Sequence, residues 1–191
     1  MRKAERQDKE TCIDILSHSF TSNQTVNFLV GHGSKKLKRI RALLTFSFEM
    51  GMAFGDVFLS DDKKACSIVI YPDRKKAGSK LLLLNLYFLF YATGWRNLRK
   101  ILKREKIIGK TIPKTRLAHL WFIGVDPLHQ GKGIGLTLLA DIIKYSQANC
   151  RPIYLETSTV KNLPWYRRFG FEVYSQQDLP FRLYFFKREI H

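Results

Sequence analysis

The segment Val125-Asp126-Pro127-Leu128-His129-Gln130-Gly131-Lys132-Gly133-Ile134-Gly135 constrains the fold of this chain more than any other part. The apolar run before it, residues 117–125, reads as a strand, and Pro127 helps to stop it because proline has no N–H to donate. Three glycines at alternate positions let the backbone turn tightly and leave no Cβ to fend off a ligand. A helix follows over residues 133–147, with Leu136, Leu139, Ala140 and Ile143 on one face. This order places unpaired N–H groups and the positive end of a helix dipole at the loop, which makes an anion site. Lys132 adds a formal positive charge there.

The pattern continues with a strand at 153–157, a short helix at 163–169 closed by Gly170, and strands at 172–175 and 182–187. Strand, helix, strand, helix, strand, strand implies a parallel pair joined by a helical crossover, then an antiparallel return. Upstream, residues 2–4 form a weak strand candidate. Residues 9–19 read as a helix with Cys12, Ile13 and Leu16 on its apolar face. Residues 21–33 read as a polar loop holding at most a helical turn at 26–30. A helix is expected over 35–50, where Leu37, Ile40, Leu44 and Phe48 share a face, and a hairpin over 56–59 and 65–71.

Residues 79–106 look like an insertion of two helices. The first, 81–92, is apolar except for Asn85, yet shorter than the roughly 20 residues that cross a bilayer. The second, 95–106, sets Trp95, Leu98, Ile101 and Leu102 against Arg96, Arg99, Lys100, Lys103 and Arg104. A hairpin packed on the sheet with its charges in water is the preferred reading, with its apolar first helix also able to wall a pocket. Attachment to a membrane surface ranks behind it.

A chain of 191 residues that is 45% hydrophobic, with 14 Phe and 8 Tyr, suits one domain spanning 1–191. Cys12, Cys66 and Cys150 lie far apart, without CxxC spacing or a His at a zinc-site interval, so free thiols and no metal are expected. The charged N-terminus is not followed by an apolar run, which points to the cytoplasm. The net charge of +17 favours a polyanion, whether nucleic acid, anionic membrane or a phosphate-rich ligand; a basic solvated surface fits equally well. No aromatic-interleaved basic motif supports nucleic acid, which ranks low. Monomer and homodimer both stay open.

Three anions compete for the glycine loop. A P-loop needs GxxxxGK followed by Ser or Thr, and here the Lys precedes the last two glycines. A dinucleotide fingerprint needs GxGxxG, and counting from Gly131 puts Leu136 at the sixth position. The third candidate is the pyrophosphate of coenzyme A. Here Gln130-x-x-Gly133-x-Gly135, preceded by a strand ending in Val125-Asp126-Pro127, resembles the Gln/Arg-x-x-Gly-x-Gly/Ala signature of the GNAT superfamily of N-acetyltransferases. Downstream, the strand 154–157, Asn162, and Tyr166-x-x-x-Gly170-Phe171 resemble the next signature of that superfamily. Leu155-Glu156-Thr157-Ser158, Asn162-Leu163-Pro164 and the His129-Gln130-Gly131-Lys132-Gly133 wording are similar to its puromycin N-acetyltransferase-like branch.

The resemblance implies an α/β (α+β) GNAT fold: a mixed, mostly antiparallel twisted sheet of six to seven strands with helices on both faces. It implies direct acetyl transfer from acetyl-coenzyme A to a primary amine, expected to be a small molecule of antibiotic or xenobiotic type. A protein or peptide acceptor, or a non-catalytic coenzyme A-binding module, is the alternative. By the same resemblance the cofactor lies along Ile123, Gly124 and Val125 and in the loop Gln130, Gly131, Lys132, Gly133, Ile134 and Gly135, and touches the Asn162 amide. The backbone N–H of Ile123 receives oxyanion charge. Tyr166 is the general acid, protonated at neutral pH as a phenol should be. Glu156 is a candidate base if half-burial raises its pKa. His119, on the alternate face shared with Trp121 and Ile123, is the second candidate, acting through water.

Overall fold

A computed structural model describes residues 1–75, 78–93 and 98–190. Strands β1 (Arg2–Lys3), β2 (Gly55–Leu59), β3 (Ala65–Ile70), β4 (Ala118–Val125), β5 (Ile153–Thr157), β6 (Glu172–Asp178) and β7 (Arg182–Arg188) form one sheet in the order β1-β2-β3-β4-β5-β7-β6. All neighbours are antiparallel except β4 and β5. That parallel pair is joined by a helix, as the sequence pattern requires, and β7 inserts between β5 and β6.

Seven α-helices flank the sheet among the described residues: α1 (Lys9–Ser19), α2 (Gln24–Val30), α3 (Lys36–Phe54), α4 (Ser79–Tyr87), α5 (Leu98–Thr111), α6 (Ile134–Ala148) and α7 (Leu163–Arg168). On one face α1 and α3 bury Ile13, Leu16, Ile40, Leu44 and Phe48 against Cys66 and Ile68. On the other, α6 buries Leu138, Leu139 and Ile142 against Val69, Leu120 and Leu155. Burying both faces fits β3, apolar but for Ser67, whose six residues are all buried.

Some elements depart from the sequence reading. The segment 21–33 holds the helix α2 rather than a loop: Asn23 is its N-cap, its side chain accepting from the Val26 N–H at 3.0 Å. Helix α3 runs four residues beyond the expected Met50, to Phe54. In the insertion, α4 gives way to a π-helical turn, Phe88–Thr93, and α5 runs on to Thr111. The expected start of α5 at Trp95 lies outside the described residues. Helix α5 packs on the sheet through Ile108 and Ile112 against Leu183 and Phe185. Leu81, Leu84, Tyr87 and Phe88 of α4 and the π-turn instead join the cluster of α1, α2 and α3.

Two irregularities of β4 shape the site. Ile68 pairs with Phe122 and Val69 with Leu120, so Trp121 is an extra residue that makes a bulge. The bulge breaks the alternation: Trp121 and Phe122 both pack with the α1–α3 cluster, while Ile123 packs on the α6 face. Ile123 therefore does not share a face with His119 and Trp121, contrary to a regular period of two. Second, β4 registers with β5 only at Ala118–Ile153 and His119–Tyr154. Beyond those pairs the two strands splay.

Candidate active site

The gap left by the splay is lined by backbone. The Asp126 N–H donates to the Lys64 carbonyl on the β3 side, at 2.8 Å. Alternation along an extended strand turns Gly124 the same way and Ile123 and Val125 the opposite way, toward β5. The Val125 carbonyl accordingly accepts from the Ser19 hydroxyl, and from Gln130 Nε2 at 3.1 Å. Gly124 is needed for packing: a Cβ there would lie 2.9 Å from Ser19 and 3.0 Å from Leu16, so α1 approaches β4 where only hydrogen fits.

Two cavities open on the gap. One, about 940 Å³, is lined by Ile123, Gly124 and Val125, by Gln130, Gly131, Gly133, Ile134 and Gly135, and by Asn162 and Trp165. Gly131 and Gly133 hold φ of +78° and +81°, and a Cβ on either would meet nothing within 4 Å, so both are open to a ligand. Gly135 differs: a Cβ there would come within 3.1 Å of Val125, so this glycine seats α6 on β4. Gly133 is the N-cap of α6, whose first turn faces the loop. The exposed Lys132 does not line this cavity; the cations that do are Lys161 and Arg182.

The second cavity, about 470 Å³, lies between the sheet and the hairpin of α4 and α5. Its walls are mostly apolar, with Phe20, Phe46, Phe88, Leu120, Trp121 and Leu102 among them, and Glu156 and Tyr166 supply polar groups. Phe20, Asn23, Ile123, Ser158 and Asn162 line both cavities, so the two meet there. Asn23 and Thr25 close that junction by hydrogen bonds to Thr159 at 3.4 Å and Ser158 at 2.9 Å.

Glu156 is 6% exposed, more deeply buried than the sequence reading assumed, and one oxygen lies 2.7 Å from His119 Nε2. Its other oxygen accepts from Arg104 at 3.0 Å. Burial pushes the Glu156 pKa up, but His119 and Arg104 outweigh it and the net direction is down. The raised value expected of a half-buried base is thus replaced by a carboxylate held in its charged form. His119 lines neither cavity, and its contact is with Glu156. Burial, with some help from the Glu156 charge, raises the Tyr166 pKa, so the phenol keeps its proton throughout the neutral range. Asn162 occupies the N-cap position of α7, but its side chain makes no capping hydrogen bond.

Arg104 departs from its expected place: the amphipathic pattern of 95–106 sets it on the solvated side, yet its side chain is 11% exposed. It lies three residues after Ile101 and four before Ile108, both buried, so helical spacing puts it on the inward face.

Residues 89–173 match the acetyltransferase (GNAT) domain family. A solved structure, described as histone acetyltransferase HPA2 and related acetyltransferase from Corynebacterium glutamicum, superposes with a TM-score of 0.70. The superposition covers 100% of this chain and 96% of that one, at 16% identity. The chain has the GNAT fold. A stretch of 66 residues, 33% of the chain, is 41% identical to an uncharacterised N-acetyltransferase of Schizosaccharomyces pombe. Another of 62 residues, 32% of the chain, is 32% identical to glucosamine 6-phosphate N-acetyltransferase of Trypanosoma brucei brucei. These matches span 26% and 42% of the two relatives. In the GNAT fold of this chain the splay of β4 and β5, the glycine loop and α7 come together at one place, where the two cavities join.

Proposed function

We propose that the chain is an acetyl-coenzyme A-dependent N-acetyltransferase whose acceptor is a primary amine on a small, largely apolar molecule of antibiotic or xenobiotic type. The observation that carries this reading is the meeting of a glycine-loop cleft with an apolar cavity at Ile123 and Asn162. The cleft suits coenzyme A: its loop glycines are open, α6 directs a helix N-terminus at it, and Lys161 and Arg182 face it. Bound there, acetyl-coenzyme A supplies the activated acetyl thioester.

The residues of the chain then have distinct tasks. Ile123 and Val125 offer backbone groups to the gap, and the Ile123 N–H takes up negative charge on the carbonyl oxygen. Loss of one such donor typically costs about 2.7–4 kcal/mol of transition-state stabilisation. Tyr166 holds a proton at its hydroxyl for the departing sulfur. Glu156 stays ionised at the wall of the second cavity, with one oxygen on Arg104 and the other on His119, and fixes those two side chains there. A carboxylate with a lowered pKa is a weak base, so an α-amino-type acceptor with a pKa of about 8 loses its proton largely to water. Asn162, free of any capping duty, is available to the cofactor.

A panel of small apolar amines, polar amino sugars and short peptides, followed by release of free thiol, tests the acceptor class. Turnover concentrated on the apolar amines is expected. Turnover of peptides with no small amine accepted would assign the site to a protein or peptide acetyltransferase.

A further inference from the structure

The hairpin of α4, the π-turn and α5 has an outer face that acetyl transfer does not use. Leu82, Leu83, Leu86, Phe90, Tyr91 and Leu102 all face solvent there, Leu82 at 61% and Leu83 at 65% exposure. Other large apolar side chains that face solvent, such as Leu37, Leu128 and Val160, stand apart from one another in the chain. Concentrated exposure of this kind marks a docking surface.

The two arms of the hairpin meet around one cavity, which Asn85 and Leu89 line from one arm and Leu102 from the other. Exposed cations frame the apolar face. Arg99 and Lys106 lie three residues before and four after Leu102, Lys103 lies four after Arg99, and exposed Lys80 sits in the first turn of α4. Apolar side chains bordered by basic ones suit the boundary between lipid headgroups and acyl chains. No described helix is long and apolar enough to cross a membrane, so the contact is with the surface.

We propose that this hairpin docks on an anionic lipid surface. The leucines enter the acyl boundary and the cations of α5 meet the headgroups. Charge decides between this occupant and a second copy of the chain. Two copies meeting through this face would bring the same cations together in molecules of net charge +17, whereas an anionic surface neutralises them.

Co-sedimentation of the full chain with vesicles tests this. One set is phosphatidylcholine alone, and the other is equal parts phosphatidylcholine and phosphatidylserine. The wild type is expected to partition onto the anionic vesicles and not onto the neutral ones. Leu82→Ser/Leu83→Ser/Leu86→Ser and Arg99→Gln/Lys103→Gln/Lys106→Gln are each expected to lower that partitioning about tenfold or more. Lys144→Gln/Arg167→Gln/Arg168→Gln, which removes as many cations from the α6–α7 side, should change it less than about twofold.

Circular dichroism and melting check that each variant folds. If the leucine variant does not fold, hydrogen exchange on the wild type takes its place, with vesicle-induced protection expected over residues 79–106. No partitioning of the wild type, equal partitioning of the leucine variant, an equal loss in the α6–α7 variant, or protection elsewhere would overturn the proposal. So would a wild-type dimer that the leucine variant loses, which would assign the face to a second copy.

Discussion

Glu156 is a carboxylate removed from water, kept charged by Arg104 on one side and His119 on the other. A buried pair of this kind is costly to break, because the surviving charge has no solvent to turn to. Arg104→Met is expected to destabilise the fold by about 3–5 kcal/mol in chemical denaturation. Arg104→Met/Glu156→Gln should lose clearly less than the sum of the two single changes, since the residues form one unit. Simple additivity would mean that the pair is not coupled. The loop residues other than Lys132, with Asn162 and Tyr166, line the cavities as sequence suggests, because each belongs to a motif of fixed spacing; Lys132 points elsewhere. Arg104 could not be placed from sequence, because its partner lies 52 positions away and a charged residue on an amphipathic helix is ordinarily solvated. The spacing to Ile101 and Ile108 was the one signal available.

At the scale of elements, the turn from β4 into α6 rests on Gly131 and Gly133, both in the left-handed region. Gly133→Ala should cost about 1–2 kcal/mol of backbone strain. It should also put a methyl group into the cleft, where nothing now lies within 4 Å, and so weaken coenzyme A binding. Calorimetric titration with coenzyme A should show affinity about tenfold lower or worse, the equivalent of roughly 1.4 kcal/mol. Unchanged affinity would remove the loop from the cofactor site.

Edge strand β1 is tied to the start of α1 by Arg2, which donates to both Asp8 oxygens at 2.6 and 2.7 Å, and Asp8 also accepts from the Glu5 N–H. These bonds lower the Asp8 pKa from 3.8 to about 2. A depressed folded-state value means that this stabilisation is complete above the unfolded pKa and lost as pH falls through the folded one. Melting temperature should therefore drop between pH 4 and about 2 more steeply in the wild type than in Asp8→Asn. Parallel curves would refute that link. The alternation of Leu117, His119, Trp121 and Ile123 reads as a regular strand, which concealed the bulge at Trp121. That bulge depends on pairing with β3, and local periodicity carries no record of it.

Over the whole molecule, the order strand, helix, strand, helix, strand, strand was enough to specify the parallel pair and its antiparallel return, because few topologies satisfy short, right-handed connections. The insertion of β7 between β5 and β6, and the early parting of β4 from β5, are long-range choices that sequence pattern does not encode. The proposed function rests on that parting: it leaves one edge of β4 without a neighbouring strand between a glycine-loop cleft and an apolar cavity, with Tyr166 on the cavity side. The most direct test is the rate of acetyl transfer from acetyl-coenzyme A to an apolar primary amine, wild type beside Tyr166→Phe, read by free thiol and by mass spectrometry of the product. The account predicts acetylated amine from the wild type and a rate about 10²–10⁴-fold lower in the folded variant, the usual worth of a positioned acid. No product from the wild type, or equal rates in the two proteins, would contradict it.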